Sequence, residues 1–270
     1  MNQVTKKKET LPAANILEEF AGQGTENITA SDVKLPILKL IGSMSPQINP
    51  KDSQYVEGLK VGDIYNDTTG SIYDGGKGFL AVPCYFVNTF NEWSERGKGS
   101  SRPIVHTNRE IMNKTVQGKD NKDWLPAQPN GEQHYIEDTG NHFVYILNEN
   151  YEPVEPALIT MKSTQKKHSK RWNSMMRQRR LQGKGGSFHP PSFGTVYRLS
   201  SVMESNNKGS WPGWNIAYDS DLSQKPDTLV KTKEFYKDTA EQSINIFGKV
   251  DFDDKSETSK SISTADDIPI

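Results

Sequence analysis

The chain is poor in the residues that most often betray a function. One cysteine, Cys84, occurs in 270 residues, which excludes an internal disulfide and a cysteine-based zinc cluster and suits a reducing compartment. No run of about 18 apolar residues exists, so the sequence offers no transmembrane helix and no membrane partner is expected. Lys6, Lys7 and Lys8 near the start precede no apolar stretch, so this is not a signal peptide. The usual catalytic spacings are missing too. His106, His134, His142, His168 and His189 form no H-x-E or HExxH pattern, and "YDGGKGF" and "GKGGSF" lack the GxxxxGK[ST] of a phosphate loop. His134, Glu137 and Asp138 in "HYIED" come closest to a metal set but sit in polar sequence. Cys84, inside "FLAVPCYFV", reads as a small buried hydrophobe. The expectation is a protein that is not an enzyme, with no cofactor and no metal.

What remains is polar, with 33% apolar and 25% charged residues. That composition suits one core domain with long loops and disordered ends. Residues 1–30 read as a flexible N-terminal arm, 31–248 as the folded domain, and 249–270 as a disordered acidic tail. Turn signals at 66–70 and 74–78 separate strand-like segments, and a long β-rich run follows from 79 to 93. Residues 94–140 read as an inserted loop region with a short helix near 109–113. Residues 141–164 form two strands around a turn at 149–152. A helix is expected over 163–183, with Ser163 or Thr164 as N-cap, Trp172, Met175 and Met176 on one side, and Gly183 as the stop. Residues 193–219 give two strands around 206–209, and a last helix fits 226–247. Strands with one helix inserted suit a mainly β, OB-fold-like barrel, and other small barrels equally.

Acid is absent where base is densest. Between positions 162 and 184 lie nine cations and no Asp or Glu, while the whole chain sums to −1, so the remainder carries −10. Like charges at i, i+4 spacing destabilise a lone helix, and a polyanion relieves them while releasing counterions. Lys162, Lys166, Lys167, Lys170, Arg171, Arg177, Arg179, Arg180 and Lys184 are therefore candidate phosphate contacts. Trp93, Trp211 and Trp214 lie beside polar or Gly-rich turns ("NEWSERGKG", "KGSWPGW"), where a ring can stack an unpaired base. Trp172 is a fourth candidate, or an anchor for its helix.

The tail carries six acids against three lysines and finishes in Asp266, Asp267, Ile268, Pro269, Ile270. This tip resembles that of bacterial single-stranded DNA-binding proteins, with Ile where the terminal Phe usually stands. The length, the 94–140 insertion and the "STQKKHSKRW" segment look more like the divergent members of that group from tailed bacteriophages. The resemblance implies an OB-type barrel and sequence-independent single-stranded DNA binding during replication, recombination and repair. It also implies that the tip recruits replication and recombination proteins in the cytoplasm of the bacterial host. An RNA- or duplex-binding protein using the same groove, or a phage adaptor or inhibitor docking a host protein through the tip, are the alternatives. Homo-oligomerisation is left open.

Overall fold

The structure, a computed structural model, describes residues 19–20, 23–27, 34–95, 98, 102–207 and 209–247, with side chains to residue 241. The chain divides into two compact units, Met1–Lys34 and Leu35–Ile270, and every element below belongs to the second. The acidic tail and its tip lie outside the described residues.

Thirteen strands and two α-helices follow one another among the described residues. Five long strands dominate: β4 (Phe79–Ser94), β8 (His134–Leu147), β9 (Pro153–Met161), β12 (Thr195–Asn206) and β13 (Gly209–Asp221). Short strands are β1 (Leu38–Leu40), β2 (Ile64–Asn66), β3 (Ile72–Tyr73), β5 (Ile104–His106), β6 (Val116–Gln117), β7 (Asp123–Trp124), β10 (Leu181–Gly183) and β11 (Gly186–Phe188). Helix α1 spans Lys166–Gln178 and α2 spans Pro226–Phe247. The protein is thus mainly β.

The main sheet is antiparallel, ordered β13-β12-β4-β8-β7-β6, with β5 added to β4 and β9 to β8, and it curls into a half-barrel. The small sheet β1-β2-β3 ties both sides of the curl. Leu158 N donates to Pro36 O at 2.8 Å on the β9 side, and Ser201 N donates to Gly75 O at 2.8 Å on the β12 side. Aromatic and β-branched residues fill β4, whose Pro83 has no N–H for a ladder. The β4–β8 register slips there, between Pro83 and Tyr85. The slip exchanges the faces of the strand: Phe79 and Ala81 share the inner core, and beyond the bulge Phe86 lies over the inner residue His142. One edge of β4 is also left open. β12 pairs only with residues 79–81 and β5 only with 90–92, so no strand covers 82–89 on that side.

Each face of the sheet receives one helix. Helix α1 seats on the inner face, where Trp172 is 0% exposed, stacked on His142 (4.5 Å, 21°) and edge-on to Tyr197 (5.8 Å, 74°). Such pairs add about 0.5–1.5 kcal/mol beyond their buried area. The helix lies close to β8 because Gly140 has no side chain: a Cβ there would stand 2.3 Å from Ser169 Oγ. Ser169 Oγ is instead 2.9 Å from His142 Nε2. On the outer face α2 packs Leu229, Phe235 and Tyr236 against Leu80, Val82, Cys84, Leu147 and Val196. Just before α1, the Gln165 amide donates to Pro212 O (2.9 Å) and accepts from Trp214 N (3.2 Å), occupying part of the β13 edge.

Three expectations need correction. The helix expected over 163–183 ends at Gln178; Arg179 is extended (ψ 137°), and the glycines beyond it form the β10–β11 hairpin. Neither Ser163 nor Thr164 caps it, since a 3-10 turn from Ser163, at φ 47°, precedes α1 and neither α1 nor that turn has a side-chain cap. The 94–140 region is more regular than a loop, holding β5, β6, β7, a 3-10 turn at Arg109–Lys114 and the first part of β8.

Replacing Trp172 with Ala empties the centre of the inner core and is expected to cost about 3–5 kcal/mol in chemical denaturation. His142 supplies a second test. Burial, with Lys166 nearby, pushes its imidazole down to about 3. A depressed folded value means that the stability is fully present above the unfolded value, about 6.5, and is lost as pH falls toward 3. Between pH 6 and 4 the wild type should lose stability faster than His142→Gln, by up to about 1.4 kcal/mol per pH unit. Parallel pH curves for the two proteins would contradict this.

Candidate nucleic-acid interface

With Trp172, His168 and Ser169 turned inward, the helical period sends Lys167, Lys170, Arg171, Ser174, Arg177 and Gln178 to solvent. The run that lacks acids in sequence does not lack them in space. Lys162 pairs with Glu137 of β8 (3.3 Å), and Lys166 with Asp138 and Asn88. Lys167 meets Glu204 of β12 at 2.8 Å. Arg179 lies over the Tyr218 ring (3.8 Å to its centroid), donates to the Tyr218 hydroxyl and stands 3.5 Å from Asp221. These four predicted phosphate contacts are already held by carboxylates, and binding through them would cost an existing ion pair.

The pairing leaves its mark on proton affinities. Burial pushes the Lys166 ammonium below its usual range, against the pull of Asp138. Burial disfavours the Glu204 carboxylate, but Lys167 and His168 outweigh it and hold the group below the usual range.

Lys170, Arg171, Arg177, Arg180 and Lys184 are exposed and form no ion pair among the described residues. Arg180 is nonetheless oriented: its Nη1 donates to Arg177 O (2.9 Å) and Arg179 O (2.8 Å) at the C-terminus of α1, where cations are favoured. His189 Nδ1 lies 3.3 Å from the same nitrogen. Beside these groups a cleft of about 170 Å³ opens at the uncovered edge of β4. Pro83, Tyr85 and Phe86 line it from β4, Asn173, Met176 and Arg177 from α1, with His189 and Ser192 completing it.

The tryptophans fall differently from expectation. Trp172 is an anchor, and Trp93 (7% exposed) and Trp214 (2% exposed) are buried as well, so none of the three offers a face to a base. A Gly-rich turn beside Trp214 did not mean exposure, because Gln165 and α1 close over it. Trp211 is half-buried and donates to Glu204 at 3.2 Å. Sequence reading missed two aromatics. Phe188, in "GKGGSF", is 47% exposed on the β10–β11 hairpin. Trp124 is half-buried, edge-on to Tyr135 (5.4 Å), with Lys122 Nζ 4.1 Å from the Tyr135 ring. The register row Val116–Trp124–Tyr135–Trp93 puts that pair on the sheet face opposite α1, apart from the basic surface.

The suspected metal set disperses. His134 Nδ1 bonds Glu92 (2.6 Å), Glu137 meets Lys162, and Asp138 meets Lys166. Glu92 also takes His106 (2.7 Å); burial opposes its charge, yet the two imidazoles hold its carboxyl below the usual range. Among the described residues no group of three or more His, Cys, Asp or Glu is arranged to hold a metal ion. Cys84 is buried, which pushes its thiol well above the usual range. Among the described residues no helix is long and apolar enough to cross a membrane.

These features define a mainly β protein that presents a basic helix face beside a cleft in its sheet. The chain belongs to the Pam3 phage gp34-like protein family, whose model matches residues 5–245. No curated protein and no solved structure shows a significant match to it.

Proposed function

We propose that this phage protein binds single-stranded DNA, without reading its sequence, along the solvent face of α1 and the cleft at that helix's C-terminal end. The observation that carries the reading is the set of five exposed cations that form no ion pair among the described residues, all on one helix and the segment that follows it. One of them, Arg177, lines a cleft that Tyr85 and Phe86 also line. Among the described residues these cations have no carboxylate partner, and neutralising phosphates would release bound counterions. The strand order supports the same reading. Five long strands run β13-β12-β4-β8-β9, with α1 between the third and fourth in sequence, which suits an OB-type barrel with oligonucleotide-binding capacity. In this reading the protein is not an enzyme, and it serves phage DNA replication, recombination or repair. Residues 266–270 would recruit replication proteins, as the resemblance of that tip implies.

Labelled oligo-dT titrated across a salt series tests this. Binding should weaken with a log–log slope of about −3.5, at about 0.7 per neutralised phosphate, and Arg177→Glu with Arg180→Glu should weaken binding more than tenfold at low salt. Absence of binding at low salt would sink the reading; tighter binding to RNA or duplex would redirect it. Intrinsic tryptophan fluorescence should respond little, since Trp93, Trp172 and Trp214 are buried.

A further inference from the structure

We infer that the β10–β11 hairpin makes this surface select unpaired bases, with Phe188 as the ring on which a base stacks. The inference rests on the nucleic-acid reading of the α1 surface and names the element that would choose single strands over duplex.

The hairpin stands alone as a two-stranded sheet, with Leu181 opposite Phe188, Gln182 opposite Ser187 and Gly183 opposite Gly186. Lys184 and Gly185 form its tip, and Gly186 has φ +110°, a conformation that favours glycine. Residues 182–189 are all exposed. An isolated two-stranded hairpin is marginal in water, so its shape depends on its base and on its aromatic side chain, Phe188. At the base, Arg180 bonds the last carbonyls of α1 and approaches His189, which lines the cleft. Along the hairpin, the Phe188 ring lies against Gly183: a Cβ added there would stand 3.1 and 3.2 Å from two ring carbons. The ring is thus held on one side by backbone and left 47% exposed.

Its surroundings match one class of ligand. Arg180 and Lys184 precede the ring in sequence, His189 follows it, and residues 177–189 contain no acid. A supported aromatic face among unpaired cations suits a nucleobase together with its phosphates. A duplex hides its base faces within the stack, so it can use the cations but not the ring. Trp211 is tied to Glu204 and Tyr218 to Arg179, which leaves Phe188 as the exposed ring adjoining the cleft.

The test compares full-length wild type, Phe188→Ala, Phe188→Tyr and Arg177→Glu by anisotropy. The probes are an oligo-dT and an oligo-rU of about 15 nucleotides and a blunt duplex of the same length. Phe188→Ala should bind the single strands about tenfold more weakly and the duplex unchanged, while Phe188→Tyr behaves as wild type. A loss confined to oligo-dT or oligo-rU names the natural source of the base and supports the inference in either case. If Phe188→Ala binds single strands as wild type, or weakens single strands and duplex alike, the inference is overturned. Should Arg177→Glu still weaken binding in that case, the α1 reading survives. Where Arg177→Glu also changes nothing, both are wrong.

Discussion

The stack of Trp172 on His142 is the contact on which the arrangement depends. It fixes the rotation of α1 about its axis, and rotation decides which residues reach water. With Trp172, His168 and Ser169 pinned inward, the solvent face of a thirteen-residue helix falls to lysine, arginine, serine and glutamine. The seat is close because Gly140 yields room to Ser169. It also carries a burden: Trp172 Nε1 and His142 Nδ1 are buried with no hydrogen-bond partner among the described residues. Each such orphan costs about 1–3 kcal/mol, so aromatic packing must outweigh them.

Charge follows from the same seat. Crowding like charges at i, i+4 along a helix is unfavourable, and here Lys166 with Lys170 and Lys167 with Arg171 repeat that spacing. The fold relieves half of it by bringing Asp138 and Glu204 from strands to Lys166 and Lys167. Lys170 and Arg171, one turn on, are exposed and receive no acid among the described residues. The basic surface is therefore narrower than the run of nine cations suggests, and it is concentrated toward the end of α1 that meets the cleft.

The cleft depends on an irregularity in the sheet. Pro83 cannot extend the ladder, the register slips beside it, and β12 and β5 meet β4 on either side of the gap. An uninterrupted edge would have closed that opening with another strand. The exposed hairpin after α1 then borders the gap, because Arg179 turns extended where the helix ends.

Much was legible locally. The paired strands 79–94, 153–161, 195–206 and 209–221, the part of 134–147 from 141 on, their turns and the helix at 226–247 follow from alternation, turn residues and β-branched runs, which are short-range signals. So does the inward stripe of Trp172, Met175 and Met176. The burial of Trp93 and Trp214 and the pairing of Lys162, Lys166, Lys167 and Arg179 with carboxylates were not legible, for one physical reason. Burial and ion pairing are set by partners far away in sequence, 49 residues in the case of Gln165 and Trp214 and 78 in that of Lys166 and Asn88. The sequence by itself determined where strands and helices lie, how much positive charge the α1 segment carries and which helical face is apolar. Only the tertiary structure decided which of those charges are spent on carboxylates and which aromatics keep a face to water, because both depend on how the curled sheet brings distant strands against one helix.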